Sequence, residues 1–167
     1  MAEGQPFFRI AGCVHSPDHH YLAYAVDLKG SEYYDLSVKD IETGVILNDR
    51  IPDTQGGAVW GNDGKTLYYA RLDDNHRPSR VFRHVLGDDV GNDELLYEET
   101  DPSFFVSIGK TESRRFVVIK SSDHGLTAEI RTIDANQPNA TPELFAVREA
   151  GVDYDVSEHA DRFLILT

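Results

Sequence analysis

The chain has 167 residues, 40% of them hydrophobic and 10% aromatic, which is enough apolar material for one globular domain and excludes a disordered chain. Its 29 acidic residues against 16 basic ones leave a formal charge of −13, which speaks against a nucleic-acid partner and favours cations or basic peptides, although solubility alone accounts for such a surface. The single cysteine, Cys13, rules out an internal disulfide, suits a reducing compartment and reads as a small buried hydrophobe.

The N-terminal MAEGQPFFRIAG lacks the basic start and long apolar stretch of a secretion signal or anchor. No run approaches the length of a transmembrane helix, so the expected location is the cytoplasm, without membrane contact. Beyond it one layout recurs. LAYAVD begins at Leu22, LYYARLD at Leu67, FVVIKSSD at Phe116 and FLILT at Phe163, at spacings of 45, 49 and 47 residues, each after a hydrophilic turn. Four short strands repeated every 40 to 50 residues or so are the signature of a β-propeller blade.

The first blade is expected over residues 7–51, with strands near 8–15, 21–27, 33–40 and 45–50. Leu22 to Val26 is apolar almost throughout, as in a strand covered on both faces. Tyr34, Leu36 and Val38 interleave with Asp35, Ser37 and Lys39, giving one buried and one wetter face, and Gly44 permits the reversal that follows. The second blade, 55–99, has strands near 57–61, 66–72, 80–86 and 94–98, separated by turns rich in Asn, Asp and Gly. The third, 103–147, has strands near 104–108, 115–121, 128–134 and 143–147; the connection at 136–142 carries Pro138 and Pro142 and belongs outside the sheet. Residues 151–167 supply two strands more. The expected class is therefore all-β: a partial β-propeller of three four-stranded antiparallel blades plus the first two strands of a fourth, in one domain over 1–167, with almost no helix. Open blade edges in such an array favour self-association.

Fragments that suggest chemistry fail on spacing. Gly64-Lys65-Thr66 resembles the end of a phosphate-binding loop, but the required earlier glycine is Val59. No G-x-S-x-G elbow occurs. His15, His19 and His20 have no second ligand pair at zinc-type spacing, and Asp88, Asp89 and Asp93 lack the glycine and terminal glutamate of a calcium loop. Asn139-Ala140-Thr141 reads as a polar loop. The sequence thus assigns no catalytic, cofactor-binding or metal-ligating residue. Trp60, Phe104, Phe105 and Phe116 are expected in inter-blade packing, and Asp18, Asp63 and Asp161 in turns that bond their own backbones. Arg77, Arg83 and Glu99 are expected in blade-to-blade contacts, with ion pairs to a further domain as the alternative.

The wording of the repeats carries a resemblance. Ser16-Pro17-Asp18 with Leu22-Ala23-Tyr24, Arg77-Pro78 with Arg83-His84 and Leu86-Gly87, and Tyr97-Glu98-Glu99 with Asp101 and Phe104 resemble the propeller of the oligopeptidase B (protease II) group in the prolyl oligopeptidase family, over most of residues 7–134. The resemblance implies a cytoplasmic serine peptidase in which a seven-bladed propeller restricts access to short peptides cut after Lys or Arg. It also implies a C-terminal α/β-hydrolase domain carrying a Ser, Asp, His triad, to which no position here corresponds. The chain is then expected to be an inert part of that propeller, roughly half a ring, two copies of which could close on each other. The alternative is a free-standing interaction module, which a stoichiometric protein partner would favour and an adjoining hydrolase domain would disfavour.

Overall fold

The computed structural model describes residues 2–159 and 162–167. Its strands, in chain order, are β1 (Arg9–His15), β2 (Tyr21–Asp27), β3 (Tyr34–Asp40), β4 (Ile46–Trp60), β5 (Thr66–Leu72), β6 (Pro78–Val85), β7 (Glu94–Glu98), β8 (Phe105–Lys110), β9 (Phe116–Ser122), β10 (Ala128–Asp134), β11 (Glu143–Leu144), β12 (Asp155–His159) and β13 (Arg162–Leu166). A 3-10 turn at Val90–Asn92 is the only helical element among the described residues. All strand pairs are antiparallel neighbours in sequence, so the chain is an all-β partial propeller with three four-stranded blades and two strands of a fourth.

Two strands depart from expectation. The stretches 45–50 and 57–61 are one continuous strand, β4, which joins the first two blades in a seven-stranded sheet ordered β1 to β7. Its first half pairs with β3 (Leu36 opposite Ile51) and its end with β5 (Trp60 opposite Leu67), while Thr54 pairs with both Tyr34 and Arg71. The change of partner is made at Asp53 and Gly56, whose φ values of 59° and 101° bend the strand without breaking it. A side chain at Gly56 would collide with Ala11, and one at Gly12 with the Gly56 carbonyl, so glycine lets the first strands of the two blades approach closely. The strand expected at 143–147 is only Glu143–Leu144; Phe145 N–H still donates to Ile130 O (2.9 Å), after which the chain leaves β10 and Arg148 turns onto Glu99 and the Phe104 ring.

The core lies between blades. Ala23, Ala25, Leu36, Val38, Ile51, Trp60, Leu67 and Tyr69 fill the space between the first and second. Tyr68, Val81, Val106, Val117, Ile119 and Ile133 fill the next, and Ala128, Ile130 and Tyr154 the last. Period-two alternation explains the division: in β5, Leu67 and Tyr69 point one way and Tyr68 the other, and all three are 0% exposed. Burying one such aliphatic side chain contributes about 1.5–3 kcal/mol. Cys13 is exposed, contrary to expectation, because the outward face of β1 has no blade over it.

Candidate functional site

β1, the end of β4 and β8 are the first strands of successive blades, and all three end in a short turn at the same side of the array. There they border a cavity of about 220 Å³, walled by Val14 and His15 of β1, Ala58 and Trp60 of β4, Lys110 at the end of β8 and Arg114 in the following turn. The turns themselves tie the blades together. Asn62 Nδ2 donates to Arg114 O (2.9 Å) and Asn136 Oδ1 (2.8 Å), and its N–H donates to Ala135 O (2.7 Å). Lys110 Nζ donates to Trp60 O (2.6 Å) and Asn62 Oδ1 (2.7 Å), while Trp60 Nε1 donates to Val14 O (3.0 Å).

The electrostatics of this cavity run against those of the chain. Among the described residues no acidic one lines it. Burial pushes the Lys110 ammonium below its ordinary pKa, the Arg114 guanidinium pushes the same way, and Asp63 opposes them weakly. The Asp63 carboxylate is already engaged with Lys65 N–H, Thr66 N–H and Thr66 Oγ1. Among the described residues neither Lys110 nor Arg114 forms an ion pair. Among the described residues, two cations and the His15 ring therefore share a partly apolar recess with no ion-pair partner for either cation.

A second polar group is structural in character. His84, on β6, is 0% exposed and lies with Nδ1 2.7 Å from Asp93 Oδ1 and Nε2 2.9 Å from Asp49 Oδ1. Asp93 Oδ2 accepts from Tyr69 Oη (2.7 Å), and Asp49 Oδ1 also accepts from Gly87 N–H (2.6 Å). Burial and the Asp93 carboxylate push the Tyr69 phenol well above its usual range, so it stays a donor. Both imidazole nitrogens lie within hydrogen-bond distance of carboxylate oxygens, and the group fastens β4 of the first blade to β6 of the second.

Of the residues singled out in the sequence, Trp60 borders the recess and the others make contacts of their own. Arg77 pairs with Asp73 (3.0 Å) and donates to Asp101 O, Phe104 O and Glu99 O, and Arg83 pairs with Glu94 and donates to Pro138 O and Ala140 O. Glu99 accepts from Arg148, Ser121 Oγ, Tyr97 Oη and Asp101 N–H. Burial raises its pKa, but these donors outweigh burial and hold the carboxyl at about 2. All three residues thus make blade-to-blade contacts. Trp60 and Phe104 are buried and Phe116 packs on Phe163, whereas Phe105, expected between blades, meets the His124 ring of its own blade at a tilt. Asp18 accepts from Ser16 Oγ and His20 N–H in its own turn, as Asp63 does in its turn; Asp161 lies outside the described residues.

Among the described residues, the histidines and acidic residues considered for metals do not come together in a group of three or more. His15 and His19 stack at 4.2 Å, and His15 Nδ1 donates to Ser16 O. Asp93 belongs to the His84 group, whereas Asp89 accepts from Gly91 N–H at the 3-10 turn. Sequence reasoning missed both the His84 group and the Lys110–Arg114 recess. A histidine beside Val81, Phe82 and Val85 in a strand was the only local signal for the first, and a lysine closing a first strand for the second.

Residues 1–167 match the family described as "Prolyl oligopeptidase, N-terminal beta-propeller domain". Protease 2 of Moraxella lacunata is 36% identical over the whole of this chain and 24% of its own length. Dipeptidyl aminopeptidase BI of Pseudoxanthomonas mexicana is 34% identical over the whole chain and 23% of its length. Oligopeptidase B of Leishmania major superimposes with a TM-score of 0.92 at 34% identity, covering 98% of this chain and 23% of that one. The chain thus spans roughly a quarter of the length of the curated relatives it matches.

Proposed function

The chain belongs to the prolyl oligopeptidase N-terminal β-propeller family, and from that membership we propose that it forms part of the gating propeller of an oligopeptidase B-like serine peptidase. The observation that carries this reading is the superposition with Leishmania major oligopeptidase B, which extends over all blades of the chain rather than over one repeat. In that role the blades act by exclusion: they wall off a hydrolase domain so that folded proteins cannot reach its triad. The formal charge of −13 supports a preference for cationic peptides, cut after Lys or Arg by the whole cytoplasmic enzyme. The 167 residues alone are inert.

Two experiments test this. Reading the coding sequence that flanks the chain is expected to give further repeats of about 47 residues and then a G-x-S-x-G elbow; a flanking sequence without a hydrolase domain overturns the assignment. Incubating the purified chain with an arginyl amide substrate is expected to give no hydrolysis, and turnover that copurifies with the chain overturns its inertness.

Self-association is the corollary. Leu164, Ile165 and Leu166 on β13 are 57%, 58% and 74% exposed, an apolar strand with no blade over it. Light scattering of the chain at high concentration is expected to show dimers or larger species, and a monodisperse monomer overturns the expectation.

A further inference from the structure

We propose that the recess between β1, β4 and β8 binds the C-terminal carboxylate of a short peptide, with Lys110 and Arg114 as its cationic anchors and Trp60 as the apolar wall beside it. This rests on the reading that the propeller faces peptides and adds to it a way of orienting them.

Four observations support the assignment. Among the described residues the recess carries two cations and no acidic side chain, in a chain with nearly twice as many acidic as basic side chains, so its lining departs from the composition of the rest of the chain. Lys110 is held in position from both sides by Trp60 O and Asn62 Oδ1, which leaves the third N–H of its ammonium for a ligand. The backbone of Arg114 is fixed by its own N–H on Thr111 O (2.8 Å) and by Asn62 on its carbonyl, so the guanidinium projects from a braced turn. Finally, about 220 Å³ bounded by Val14, Ala58 and Trp60 suits a small side chain next to one anionic group.

The shared ligand chemistry is a peptide carboxylate, available from a C-terminus or from an Asp or Glu side chain. The overall charge selects between them. A chain of −13 repels acidic peptides and attracts basic ones, whose single carboxylate is the terminal one. Such a peptide would place its terminus in the recess and leave its basic side chain outside it.

Trp60 is the chain's one tryptophan and borders the recess, so its fluorescence reports occupancy directly. The 167-residue chain is titrated with N-acetyl-alanyl-alanyl-arginine as the free acid, as its C-terminal amide, with N-acetyl-alanyl-glutamyl-alanine amide, and with inorganic phosphate. The expected result is a saturable change with the free acid and roughly tenfold or weaker binding of the other three, the loss that follows from removing one charge-assisted contact. Arg114→Gln, on an exposed turn, is expected to weaken the free acid by about tenfold without altering the fold, and Lys110→Gln to do the same with far-UV dichroism unchanged. Equal binding of acid and amide overturns the carboxylate site while leaving the peptide-facing reading intact. So does Arg114→Gln binding the acid as the parent does. Equal binding of the glutamyl peptide or of phosphate overturns the C-terminal assignment. Absence of peptide binding alongside a hydrolase domain in the flanking coding sequence removes the site and spares the family role.

Discussion

The second blade and the β12–β13 hairpin are built from similar residues yet end in opposite environments. In β5, six of the seven residues are buried, because blades lie on both faces. In β13, RFLIL is exposed at every position but Phe163, which packs on Phe116 and Phe145. Apolar sequence alone therefore does not make a core here; a covering blade does. The same contrast sorts the charged groups. Between covered blades His84 and Glu99 are enclosed and fully partnered, whereas Arg9 and Glu32, on the uncovered first blade, meet at 3.4 Å with most of their side chains in water.

The largest expected effect comes from breaking a covered group. His84→Ala leaves the Asp49 and Asp93 carboxylates buried beside an empty space and is expected to cost about 3–5 kcal/mol in urea unfolding. A loss below about 1 kcal/mol would mean that this buried group contributes no more than an exposed ion pair such as that of Arg9 with Glu32. Next, Ile119→Ala removes a fully buried side chain between the second and third blades, with an expected cost of about 2–5 kcal/mol by the same measurement.

Glu99→Gln is smaller, about 1–3 kcal/mol, since the amide keeps some of the hydrogen bonds to Ser121 and Tyr97 but loses the charge facing Arg148. It also carries a pH signature. The folded carboxyl sits at about 2 against an ordinary 4.5, so the stabilisation is complete above pH 4.5 and is lost as pH falls through 2. Unfolding measured down this window is expected to show a steeper loss for the parent than for Glu99→Gln, and parallel curves would remove Glu99 from the account. The smallest effect belongs to the hairpin: Leu164→Asp is expected to change monomer stability by less than about 0.5 kcal/mol while reducing association in light scattering.

Particular residues show how far local pattern reaches. The alternation of Tyr34, Leu36 and Val38 in β3 and the spacing of Leu22, Leu67 and Phe116 are properties of neighbouring side chains and of turn chemistry, and they located the strands to within a few residues. The continuity of β4 was hidden because Asp53 and Gly56 look like a turn, yet their left-handed φ serves a bend within a ladder. Phe145 to Val147 look like strand, but the pull of Arg148 toward Glu99 is 49 residues away in sequence.

What the amino-acid order determined unaided is the repeat and the all-β class, which rest on periods of two residues or of about 47 written along the chain, and the resemblance to a peptidase propeller, which rests on the wording of segments such as Ser16-Pro17-Asp18 and Arg83-His84. What only the folded molecule decided is which polar groups meet across blades: His84 with Asp49, 35 residues apart, Asn62 with Asn136, 74 apart, and Lys110 with Trp60, 50 apart. Those meetings depend on how stacked sheets turn about one another, and such long-range geometry leaves no mark on local pattern, because any exposed or buried position of a strand accepts the same residue until a neighbouring blade arrives.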